Sequence, residues 1–88
     1  MLVKRGTDFL ESGDIAAARL LLRRAAEAGS ADAALALGST FDPLVIGRLH
    51  AVNVRSDSAK AREWYQKAAQ LGSPTAPDQL ARLSKAGQ

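Results

Sequence analysis

The chain has 88 residues, 47% of them hydrophobic but only 5% aromatic, and it contains no cysteine. A chain of that length has room for one core and no second one, and the missing cysteine excludes disulfides, thiolate metal ligands and a cysteine nucleophile. Twelve Lys and Arg against nine Asp and Glu leave a net charge of +3, with both signs interspersed and an excess that is small for a nucleic-acid binder.

With alanine the commonest residue and aromatics scarce, the core has to be built of small side chains between closely packed helices. In chain order, Leu2, Gly6, Phe9 and Leu10 describe a short amphipathic helix near residues 2–12, ending near Gly13. Asp14 is a good N-cap for a helix over about 14–28 whose inner stripe is Ile15, Ala18, Leu22, Ala25 and Ala26, and Gly29 is a natural left-handed terminator. Ser30 then caps a helix over about 30–40 with Ala33, Ala34, Leu37, Gly38 and Phe41 inward. Asp42 and Pro43 form an N-cap and first-turn pair opening a short helix over about 43–50. Its Leu44, Val45, Ile46 and Leu49 are too apolar for a free loop, so this segment is expected to pack over the end of the first repeat. Asn53 suits a turn.

Asp57 caps the next helix, near 57–71, with Ala61, Trp64, Tyr65, Ala68 and Ala69 as its stripe and Gly72 as its stop. Trp64 is expected to anchor the core, and Tyr65 to bury its ring while its hydroxyl reaches a neighbouring helix or water. Pro74 and Pro77 cannot both sit inside one helix, so the last helix, near 76–86, starts at about Thr75 or Ala76 with Leu80 and Leu83 inward.

The main signal is internal repetition. A shift of 43 positions lays Asp14, Ala18, Arg19, Ala25, Ala26, Gly29, Ser30, Ala33 and Leu37 on Asp57, Ala61, Arg62, Ala68, Ala69, Gly72, Ser73, Ala76 and Leu80. The run Asp57, Lys60-Ala61, Trp64-Tyr65, Lys67-Ala68-Ala69 and Gly72 resembles the second helix of a Sel1-like repeat, a relative of the tetratricopeptide repeats. Ala33, Leu37-Gly38 and Phe41 resemble the first helix of that repeat, and the copy from Asp14 to Gly29 is similar but carries Leu21 and Leu22 where Trp and Tyr are usual. The stretch from Phe41 to Asn53 is about seven residues longer than the family pattern, roughly two helical turns.

The resemblance implies an all-α fold, antiparallel helix pairs stacked as a short right-handed α-solenoid of about two repeats. It also implies a groove lined by the first helix of each pair and used for protein contacts. By helical phase the groove positions are Arg5, Asp8, Leu35, Ser39 and Thr40, and the structural core is Phe9, Leu22, Leu37, Phe41, Trp64, Tyr65 and Leu80.

No constellation for catalysis assembles. His50, the only histidine, lacks a nucleophile and an orienting group, and as a metal ligand it lacks companions. The aspartates read as helix caps, and Gly38 as a close packing contact rather than part of a phosphate loop. The expectation is a non-enzymatic module with no cofactor and no metal, binding a peptide segment or a protein surface. Self-association, or docking on the rest of a longer parent protein, with Leu20, Leu21 and Leu22 as a candidate contact, is the second reading. A small basic nucleic-acid-binding domain using Arg19, Arg23, Arg24, Lys60, Arg62 and Lys67 is the third. No run approaches the ~20 apolar residues of a membrane span, and no secretory segment is present, so the chain as given is expected to be soluble.

Overall fold

A computed structural model describes residues 15–49 and 55–86, and all the regular structure among them is helical. Five helices follow one another: α1 (Ile15–Glu27), α2 (Ala31–Phe41), α3 (Pro43–Leu49), α4 (Ser58–Gln70) and α5 (Ala76–Ala86). The helix expected near residues 2–12, with Arg5, Asp8 and Phe9, lies outside the described residues, as do Asp14, His50 and Asn53.

The duplicated sequence builds duplicated backbone chemistry. Gly29 and Gly72 both take φ +102°, which a Cβ would disfavour. At each, two N–H groups turn back onto the helix just ended. Gly29 N–H donates to Ala26 O (2.9 Å) and Ser30 N–H to Ala25 O (3.1 Å), while Gly72 N–H donates to Ala69 O (3.1 Å) and Ser73 N–H to Ala68 O (2.9 Å). This paired pattern satisfies carbonyls that a helix end would otherwise leave open. The serine that follows then starts the next helix, with Ser30 Oγ accepting from Ala33 N–H (3.1 Å) and Ser73 Oγ from Ala76 N–H (3.3 Å). One Gly-Ser dipeptide therefore ends one helix and positions the next, fixing the turns from α1 to α2 and from α4 to α5.

Helix α2 is the middle of the stack, with α1 against one side and α4 against the other, and α5 packs on α4. Ala18, Leu22, Ala25 and Ala26 of α1 meet Ala33, Ala34 and Leu37 of α2 in the buried cluster, to which α4 adds Ala61, Tyr65 and Ala68 and α5 adds Leu83. Leu22 and Leu37 are fully buried, worth ~1.5–3 kcal/mol each in transfer free energy. Alanines let the helices approach closely, and Gly38 more so: a Cβ there would lie 2.6 Å from Tyr65 Cδ1 and 3.2 Å from Ala61 O.

Two expected core residues are placed differently. Trp64 is only partly buried, at the margin of the cluster, while Tyr65 beside it is fully enclosed. Ala61, Tyr65 and Ala68 sit one or two turns apart and form the stripe of α4 that is fully buried. Trp64 lies about 100° round the helix from Tyr65. Leu80 is likewise partly buried and Leu83 takes the core position. Ala76 and Leu83, two turns apart, form the covered line of α5 and leave Leu80 on its flank.

The segment between Phe41 and Asp57 is tied together at its two ends. Asp57 N–H donates to Phe41 O at 2.8 Å, so the exit and the re-entry are pinned together. Arg19 of α1 clamps the same place. Its guanidinium donates to Thr40 O (2.6 Å), to Thr40 Oγ1 (3.1 Å) and to Arg55 O (3.2 Å), and lies 3.9 Å from the centroid of the Phe41 ring. One planar cation thus holds both ends of the excursion and stacks on an aromatic face. Burial pushes the Arg19 guanidinium below its ordinary value, opposed by the nearby charge of Asp57.

Candidate functional site

The site is built around Asp42, where α2 gives way to α3 over a single residue. Asp42 N–H donates to Ser39 O (3.2 Å), closing α2, while its own carbonyl accepts from Val45 N–H (3.1 Å) and Ile46 N–H (2.9 Å), opening α3. The carboxylate splits its two oxygens: Oδ1 accepts from Leu44 N–H (2.9 Å) and Oδ2 from the Tyr65 hydroxyl (2.7 Å). With 1% of its surface exposed, Asp42 is a buried polar group whose acceptors are both used, as burial demands. It thereby joins α2, α3 and α4.

Leu44, whose N–H the cap holds, is 43% exposed. Across from Asp42 and Leu44 stand Gln79 and Arg82 of α5, and the four residues line a groove of about 340 Å³. A larger depression of about 400 Å³ between α1 and α4, lined by Glu27, Glu63, Trp64 and Lys67, opens more widely to solvent. The smaller groove is bounded by the junction of α2 and α3, by α3 and by α5.

The expected groove positions divide. Leu35 and Ser39 are partly buried, with Ser39 Oγ donating to Leu35 O (3.1 Å) and lying 3.5 Å from the Tyr65 hydroxyl, which places Ser39 beside Asp42. Thr40 does not face outward. It is 1% exposed, its hydroxyl donates to Leu37 O (2.7 Å), and it accepts from Arg19. Three residues beyond Leu37 and seven beyond Ala33, it falls on the buried line of α2. Arg5 and Asp8 lie outside the described residues. Sequence reasoning missed Leu44, Gln79 and Arg82 as a set because they are separated along the chain and meet only through the stacking of α5.

Arg19 is the other reassignment. Read from sequence as one cation of a surface patch, it is spent on backbone carbonyls and on Phe41. Among the described residues no three of His, Cys, Asp and Glu cluster as metal ligands, and no helix is long and apolar enough to cross a membrane.

A Sel1 repeat family model matches residues 3–30 and 31–73, two consecutive repeats. No curated protein and no solved structure matches the chain.

Proposed function

The chain belongs to the Sel1 repeat family, whose members generally mediate protein–protein interaction, and from that premise we propose that it is a non-enzymatic module binding a peptide segment or protein surface. The binding face is the one where α2, α3 and α5 converge, with Leu35 and Ser39 on α2, Leu44 on α3, and Gln79 and Arg82 on α5. One observation carries this reading: a large apolar side chain, Leu44, stands 43% exposed at a groove on a helix start whose backbone is fixed by a buried carboxylate. An exposed leucine alone is ordinary. An exposed leucine on a capped helix start, facing a second helix across an open groove, has the form of a binding pocket.

The test is capture of peptides from a randomised library by the full chain, compared with Leu44→Glu and with Leu20→Glu as a surface control away from the groove. Peptides lost with Leu44→Glu and kept with Leu20→Glu support the groove; the reverse pattern removes it.

Self-association is the second reading, favoured by Leu20, which is 54% exposed on α1. Light scattering over a concentration series separates the two. A mass that rises with concentration and falls back with Leu20→Glu selects association.

A further inference from the structure

Resting on the groove reading, we infer that the partner segment is acidic, presenting a carboxylate to Arg82 and Gln79 beside an apolar side chain that packs on Leu44. Among the described residues the polar groups lining the groove are three, and they are not equivalent. Asp42 is 1% exposed and each of its oxygens already accepts a bond, from Leu44 N–H and from the Tyr65 hydroxyl, so little of the carboxylate is open to a ligand. What remains is the Arg82 guanidinium, which only donates, and the Gln79 amide, which donates as readily as it accepts. Arg82 is exposed and Gln79 partly so, and one turn of α5 separates their neighbourhoods, so a single carboxylate is within the span of both. The chain's net charge of +3 adds a general attraction for an acidic partner.

A phosphate backbone would satisfy the same cation. The groove favours a protein segment, because among its described lining residues the other is the aliphatic Leu44 and none is aromatic to stack a base.

The experiment uses two fluorescein-labelled peptide pools with randomised flanks, one fixed as Leu-Glu-Asp and the other as its uncharged counterpart Leu-Gln-Asn, titrated with the full chain and followed by anisotropy. A labelled DNA duplex is the third probe. The acidic pool is expected to bind more tightly, with the advantage shrinking as salt is raised. Arg82→Gln should weaken that pool about threefold to fivefold and leave the uncharged pool unchanged, as for one exposed ion pair. Arg82→Lys should restore part of the loss, and circular dichroism confirms that each variant folds. Equal binding of the two pools, both sensitive to Leu44→Ser, would overturn the acidic preference and leave the groove standing. Binding of neither pool would overturn both, and duplex binding that Arg82→Gln abolishes would replace the protein partner with nucleic acid.

Discussion

Gly38→Ala is the sharpest probe of how α2 and α4 meet. At an exposed helical position, Gly to Ala stabilises by up to ~1 kcal/mol through backbone entropy and propensity. At Gly38 the new methyl would stand 2.6 and 2.7 Å from Tyr65 Cδ1 and Cε1, about 1 Å inside an ordinary carbon–carbon contact. The ring has little freedom to withdraw, since Tyr65 is fully buried and its hydroxyl is tied to Asp42 at 2.7 Å. A retreat of 1 Å would break that bond, and on the other side Ala61 O stands 3.2 Å from the methyl. Inserting a methyl into such a contact costs ~1–3 kcal/mol after relaxation. The expected net result is a loss of about 1–2 kcal/mol, lowering the melting temperature by roughly 4–16 °C for a domain of this size. Urea and thermal melts followed by circular dichroism measure it. In a Tyr65→Leu background the clash is gone and Gly38→Ala should become neutral or stabilising, a coupling of ~1–3 kcal/mol. If Gly38→Ala stabilises the parent chain by about 1 kcal/mol, or the two changes add without coupling, the close approach is not as described.

Tyr65→Phe keeps the ring and removes the hydroxyl, leaving Asp42 Oδ2 buried without its donor, and urea melts should report a loss of ~1–3 kcal/mol. Arg19→Lys keeps the charge but gives up the planar fork shared by Thr40, Arg55 and Phe41. It is expected to cost roughly 1–2 kcal/mol and to speed amide exchange at Asp57, whose N–H bonds Phe41 O. Trp64→Ala should cost about 1–3 kcal/mol, below the 3–5 of a fully buried aromatic. As the single tryptophan, Trp64 should also show acrylamide quenching intermediate between a buried and a free indole; complete protection would return it to the core.

What could be read from the sequence was what local chemistry decides. A capping side chain and a left-handed glycine act within a few residues, so Ser30, Gly29, Asp57 and Gly72 mark their helix ends without reference to the rest of the chain. Periodicity likewise identifies a helix, but it fixes the buried stripe only to within about 100°, the angle between neighbours. That uncertainty is the difference between Trp64 and Tyr65, and it explains why Thr40 was read as outward. Nothing in the order of residues distinguishes Arg19 from Arg23 or Arg24 as the one that reaches carbonyls 21 and 36 residues away. Asp42 was legible as the cap of α3, where its partner is two residues on. Its bond to Tyr65 was not, because that depends on how α4 returns.

The pinned exit and re-entry at Phe41 and Asp57 separate two kinds of evolutionary freedom. Asp42 and Arg55 apart, the bonds that tie the two ends do not use the residues between them, and lengthening a closed segment is cheap, ~0.6 kcal/mol for each doubling. Residues within it are therefore free to drift under selection for what they touch rather than for what they support. Leu44 belongs to that tolerant segment, whereas Arg82, facing it, belongs to the repeating frame. A descendant chain could acquire a new specificity by rewriting one wall while the other kept the geometry constant, and a designer grafting sequences between Pro43 and Leu49 would inherit the same latitude.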